Sequence, residues 1–114
     1  MVELSPEDAK LVTLARSTRA RTQAAEGAAV RDLDGRTYAG ATVDLEALKL
    51  SAVQVCAAMS VASGSRGLAA AVVLGRATEL DHLTEPDRAV LAELGGEGVV
   101  VHLADESGAV VASS

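Results

Sequence analysis

Residues 48–63 carry apolar side chains around nearly the whole circumference of a helix, Leu48, Leu50, Val53, Val55, Cys56, Met59 and Val61 among them. A helix of that kind has almost no face for water and must be covered on both sides, by a sheet, by other helices or by a second copy of the chain. The nearly charge-free run 50–65 is shorter than a membrane span and is broken by Ser and Gln, so it reads as the buried helix of a soluble protein. The chain that has to cover it is 114 residues long, which predicts one domain over 1–114. Burying roughly 65% of the unfolded surface is ordinary at such a length. Nearly half of the residues are apolar, yet Tyr38 is the one aromatic, so the core must be built from Ala, Val and Leu in closely approaching layers.

The same composition removes several functions. Such a core offers little stacking surface for a base, and a net charge of −6 disfavours a phosphate backbone, so no nucleic acid is expected as a partner. A single cysteine, Cys56, rules out an intramolecular disulfide and any multi-cysteine zinc site. Met1-Val2-Glu3-Leu4-Ser5 has neither the basic nor the apolar region of a signal peptide, so a cytoplasmic chain with no membrane partner is expected.

Local signals give an element order. Ser5-Pro6-Glu7-Asp8 opens a helix that runs to about Thr22, with Leu11, Leu14, Ala15 and Thr18 on one face. Arg16, Arg19 and Arg21 near its carboxyl end read as helix-end cations. Residues 27–32 and 37–43 flank Leu33-Asp34-Gly35-Arg36, and an Asp-Gly between β-prone runs predicts a hairpin. After the apolar helix, ended by Gly64, residues 68–74 are the continuous apolar run of a central strand. Thr84 opens a helix reaching Leu94 and closed by Gly95-Gly96; a strand over 99–103 and an edge strand over 109–112 follow, the latter after a turn at Glu106-Ser107-Gly108. The order αββαβαββ predicts an α/β fold, a mixed sheet with helices on its faces.

Gly40-Ala41-Thr42-Val43-Asp44 running into residues 50–64, and Thr84-Glu85-Pro86-Asp87-Arg88 running into Ala89-Val90-Leu91-Ala92-Glu93, are two stretches that resemble the two halves of the zinc site of the cytidine deaminase family. Glu26-Gly27-Ala28-Ala29-Val30-Arg31 and Asp34-Gly35-Arg36-Thr37-Tyr38-Ala39-Gly40 resemble its first strand and hairpin, so the likeness extends from about Leu11 to Val111. It implies a three-layer α-β-α sandwich and assembly into tetramers or dimers around the apolar helix. It also implies a zinc ion held by a Cys (or His) at one helix start and by a Pro-Cys-x-x-Cys at another, with a glutamate as acid and base. At the corresponding positions this chain has Ser51-Ala52-Val53 in place of Cys-Ala-Glu, and Thr84 and Asp87 in place of the two cysteines.

Zinc-dependent deamination needs ligands that hold the ion, an open position for water and a carboxylate to move a proton. Ser51 and Thr84 are neutral hydroxyls, Asp87 alone is an ordinary ligand, and Val53 has no ionisable group. No catalytic residue, metal ligand set or cofactor is therefore expected. Thr42 and Asp44 fall where the family reads the nucleoside sugar, and the aromatic ahead of its Gly-Ala-Ala has no counterpart, since Ala24 and Ala25 precede Glu26. A degenerate pocket of Thr42, Asp44, Ser51, Thr84 and Asp87 is what remains.

Plainer readings account for other polar residues. Thr84-Glu85-Pro86-Asp87 is close to a capping box. His82 beside Glu79, Asp81 and Glu85 matches no zinc spacing and reads as part of a solvated acidic loop. His102 reads as a half-buried strand histidine and Cys56 as a core thiol. Two functions from different classes follow. One is a non-catalytic, oligomeric scaffold that binds a protein partner or a small polar ligand; the other is an active deaminase whose metal is held through Asp87, His82 and groups of a neighbouring subunit. A structural subunit of a mixed assembly is a third.

Overall fold

The computed structural model describes residues 4–76, 79 and 82–114. Helix α1 (Pro6–Thr22) begins as its sequence dictates: the Ser5 hydroxyl accepts from the Asp8 N–H, Pro6 occupies the first turn, and Gln23 in the left-handed region closes the other end. Strands β1 (Gly27–Asp32) and β2 (Thr37–Ala41) form the antiparallel hairpin announced by Asp34-Gly35, with Gly35 at φ 88°. Beyond it, β3 (Val43–Asp44) and β4 (Lys49–Leu50) pair as a short separate ribbon.

Helix α2 (Ala52–Ala62) therefore starts later than apolarity alone predicts. The Ser51 hydroxyl accepts from the Gln54 N–H at 3.0 Å while the Gln54 side chain accepts from the Ser51 N–H at 2.9 Å, a complete capping box that fixes the start. Residues 48–50, expected in the helix, belong to the ribbon and its turn. The rest of the chain is β5 (Leu68–Leu74), α3 (Glu85–Gly95), a 3₁₀ turn (Gly96–Gly98), β6 (Val100–Ala104) and β7 (Val110–Ser113).

One five-stranded sheet runs β2-β1-β5-β6-β7, and its one parallel pair, β5 with β6, is the pair joined by the α3 crossover. Alternation along the strands feeds two cores. Ala29, Ala70, Val72, Leu74 and Ala104 meet Leu11 and Ala15 of α1 on one face. Ala28, Val30, Ala71, Val73 and Leu103 meet Val53 and Cys56 of α2 and Leu91 of α3 on the other. This is a three-layer α-β-α sandwich with a mixed sheet. The continuous apolar run in β5 follows from being covered on both faces.

Small residues let the layers close without aromatics. A Cβ at Gly27 would run into the Ala15 carbonyl oxygen of α1, and one at Gly40 would come within 2.8 Å of Val55 Cγ1 of α2, so each glycine marks a helix lying directly on a strand. At the amino end of α1 the packing turns polar: His102 accepts or donates at both ring nitrogens, to Asp8 Oδ2 at 2.8 Å and Ser113 Oγ at 2.6 Å, and Arg31 Nη1 stands 2.9 Å from Asp8 Oδ1. His102 is thus fully buried rather than half-buried, tying the start of α1 to the edge strands. On α2 the cover is one-sided within a single chain, since Met59 and Val61 face outward, Val61 with 55% of its surface exposed. Among the described residues no helix is long and apolar enough to cross a membrane.

Candidate functional site

Register places the polar residues of interest at one end of the sheet. Gly27 opposes both Ala41 and Leu74, and Leu74 opposes Ala104, so the residue before β1 lies beside those that follow β2, β5 and β6. Those residues are Glu26, Thr42, the Gly75-Arg76 pair and the Asp105-Glu106 turn. The carboxyl ends of strands are where open α/β sheets leave room for a ligand.

The starts of α2 and α3 meet at the Ser51 and Asp87 side chains. The Ser51 hydroxyl donates to Asp87 Oδ1 at 2.5 Å, a length typical of a hydroxyl on a carboxylate. Ser51 is the cap of α2, and Asp87 sits in the first turn of α3, whose cap Thr84 accepts from the Asp87 N–H at 3.4 Å. In a capping box the Asp87 side chain would turn back to the Thr84 amide; here it reaches across to the other helix. The result is a clasp between two helix amino ends, with Asp87 only 3% exposed. Val53, in the first turn of α2, is packed in the core at 2% exposure.

Glu26 and Thr42 form the adjoining wall. The Glu26 N–H donates to Thr42 Oγ1 at 3.1 Å and the Thr42 N–H donates to the Glu26 carbonyl at 3.1 Å. The Glu26 side chain lies over Gly75, whose missing Cβ would stand 3.1 Å from Glu26 Cγ. Burial pushes the Glu26 carboxyl above its ordinary value, and the nearby charge of Asp87 adds to the rise. An open cleft of about 640 Å³ extends from Glu26 between Arg19, Ala25, Arg76, His82 and Glu106, within the size range of small-molecule sites. Arg19 is held from two sides, by Nε on the Ala25 carbonyl at 3.2 Å and by Nη2 at 3.3 Å from Glu106.

Of the five residues expected at a degenerate pocket, the fold thus joins Ser51 to Asp87 directly, sets Thr84 behind Asp87, and brings Thr42 in through Glu26. Asp44 stands apart on the β3–β4 ribbon, largely exposed, 2.6 Å from Lys49 Nζ. The Lys49 ammonium holds the Asp44 carboxyl below its ordinary value. His82 lies in the cleft wall with Nε2 3.6 Å from Glu79 Oε2, while its expected neighbour Asp81 lies outside the described residues. Among the described residues no three His, Cys, Asp or Glu side chains are grouped as metal ligands. Cys56 is buried against the Tyr38 carbonyl, and burial pushes its thiol up to about 12, as befits a core residue rather than a nucleophile.

Two features escaped the sequence reading. Glu26 was visible only as the start of a strand, because its proximity to Asp87 depends on strand register. Arg19 read as a helix-end cation, and only the fold brings it to Glu106, far along the chain. The Ser51-x-x-Gln54 capping box, by contrast, is a sequence signal that apolarity masked.

Solved structures share this architecture. The cytidine deaminase of Burkholderia pseudomallei superposes with a TM-score of 0.80 at 23% identity, covering 97% of this chain and 92% of that one. That of Mycobacterium leprae gives 0.70 at 21% identity over 88% and 89%, and that of Mycobacterium tuberculosis 0.67 at 23% over 81% and 80%. Comparison with curated protein sequences finds no significant match. A family model described as cytidine deaminase-like matches residues 4–108, nearly the whole length, and the chain belongs to that family.

Proposed function

We propose that the chain is a non-catalytic cytidine-deaminase-like protein that acts as a binding scaffold, without zinc and without standard deaminase turnover. The observation that carries this reading is the clasp of Ser51 on Asp87. At the positions where the family resemblance expects three zinc ligands there are two neutral hydroxyls and one carboxylate, and each is already engaged. Ser51 shares its proton with Asp87 Oδ1 and accepts from the Gln54 N–H, and Thr84 accepts from the Asp87 N–H. This donor set does not fit Zn²⁺, which takes thiolate, imidazole or carboxylate ligands. Val53 stands where the family's proton-carrying glutamate would be, and an alkyl side chain cannot exchange a proton.

The clasp does by hydrogen bonding what a shared ion would otherwise do: it holds two helix starts together. The candidate pocket of this proposal groups Thr42, Ser51, Thr84 and Asp87 with Glu26, while Asp44 stands apart on the neighbouring ribbon. It suits a small ligand rich in hydroxyl and amide groups, of nucleoside size. A second copy of the chain would cover Met59 and Val61, and a homo-oligomer in the cytoplasm completes the reading.

The test is elemental analysis of the purified protein beside a cytidine-to-uridine assay on the same sample. No metal and no turnover is expected. Stoichiometric zinc with turnover would instead establish an active deaminase whose metal is held through Asp87, His82 and a neighbouring subunit, and would overturn the scaffold reading.

A further inference from the structure

We infer that the ligand of this site carries a phosphomonoester, received by Arg19 and Arg76 in the cleft beside Glu26. The inference rests on the ligand-binding reading above and adds a charged group to a ligand otherwise of nucleoside size. Glu26 joins the clasp and Thr42 to this cleft, whose other charged lining residues include Arg19, Arg76 and Glu106.

Arg19 is pre-oriented there. Its Nε is fixed on the Ala25 carbonyl and its Nη2 on Glu106, while Nη1 bonds no described residue. The Glu106 carboxylate is half-exposed, so its pair with Arg19 is screened by water and yields readily to a stronger anion. Arg76, directly after β5 and Gly75, pairs with no described residue at all. In a chain of net charge −6, with ten Lys and Arg against sixteen Asp and Glu, Arg76 brings to this cleft a cation with no carboxylate partner among the described residues. Two planar guanidiniums on one cleft can each bond two oxygens of a tetrahedral phosphate, a charge-assisted match that a neutral ligand does not offer. His82 lines the same wall. Glu26 and Glu106 oppose an anion, which gives the proposal a second handle: removing the Glu26 carboxylate strengthens phosphate binding rather than weakening it.

The experiment is calorimetric titration of the full chain at low salt with cytidine, cytidine 5′-monophosphate, ribose 5-phosphate and inorganic phosphate. Cytidine 5′-monophosphate is expected to bind about ten-fold or more tightly than cytidine, as charge-assisted contacts to a phosphate predict. That advantage shrinks with added salt and is lost in the Arg19→Ala, Arg76→Ala double variant, while Glu26→Gln increases it. Equal affinity for cytidine and its monophosphate would overturn the phosphate inference and leave the nucleoside-sized site standing. Ribose 5-phosphate binding as well as the nucleotide, with cytidine silent, would support the anion site and remove the nucleobase from the ligand. Failure of all four to bind, or a double variant that keeps the full preference for the nucleotide while folded by circular dichroism, would overturn the assignment of these arginines.

Discussion

Two buried aspartates sit at opposite ends of the sheet and are treated differently by the fold. Asp32, at the end of β1, is 1% exposed and saturated with donors: the amides of Asp34 and Arg36, the Arg36 Nε, the Tyr38 hydroxyl and the Ser65 hydroxyl. The Ser65 hydroxyl at 2.6 Å and the other donors outweigh burial and hold its carboxyl at about 2. Asp87, 3% exposed, accepts one side-chain hydrogen bond among the described residues, from Ser51, and its charge is felt by a second acid, Glu26. A carboxylate with every lone pair answered by its own hairpin and by Ser65 holds structure together. One left with a single donor, beside another acid and an open cleft, has capacity to spare for a ligand.

The contrast is broken most directly at Asp32. Asp32→Asn removes the ion from Arg36 and leaves donors facing an amide, and the largest fall in Tm of any variant considered is expected there. The pH dependence has a fixed sign. Because folding depresses this carboxyl, its stabilisation is complete above the ordinary unfolded value near 4 and is lost as pH falls toward 2. Acid titration of unfolding should therefore show a limb between those values in the native chain that is absent in Asp32→Asn. If that limb persists in the variant, Asp32 does not supply it.

Ser51→Ala comes next. It removes a helix cap, worth about 1 kcal/mol, and leaves Asp87 without its donor, worth about 1 to 3 kcal/mol more, so denaturant melts should show a loss of about 2 to 4 kcal/mol. A double-mutant cycle with Asp87→Ala, which removes the acceptor, separates cap from clasp, because only the clasp produces a coupling energy. Additive losses would show that the two side chains do not depend on one another and would remove the main support for the scaffold reading.

How far all this is legible in the sequence depends on whether a signal is local or needs register. Ser5-Pro6 gave α1, Asp34-Gly35 gave the hairpin, and the unbroken apolar run of residues 68–74 gave the doubly covered β5, because each is decided by neighbours a few residues away. The start of α2 was misplaced because Leu48 and Leu50 continue the apolar pattern while the deciding feature, the reciprocal bonds of Ser51 and Gln54, is polar. Ser51 and Asp87 could be set side by side only through the family resemblance, since 36 residues separate them. Their direct bond, the inward turn of Glu26 and the pairing of Arg19 with Glu106 are products of strand order, to which no local pattern points. Asp44 shows the reverse: a carboxylate at the expected position, but on a ribbon where Lys49 is its nearest partner.

The smallest expected effect is also the sharpest on the comparison, because it tests Asp87 through its neighbour. Folding raises the Glu26 carboxyl, so its contribution to stability is full at low pH and is lost as pH rises through the folded value. The sign is opposite to that of Asp32. Part of the rise comes from Asp87, so Asp87→Asn should lower the Glu26 carboxyl toward its ordinary value while burial keeps it elevated. Carboxyl-carbon NMR titration of Glu26 in both proteins reads this without relying on activity. An unchanged Glu26 titration in a folded Asp87→Asn variant would mean that the two acids do not share an environment. The clasp and the cleft would then be separate features rather than two ends of one site.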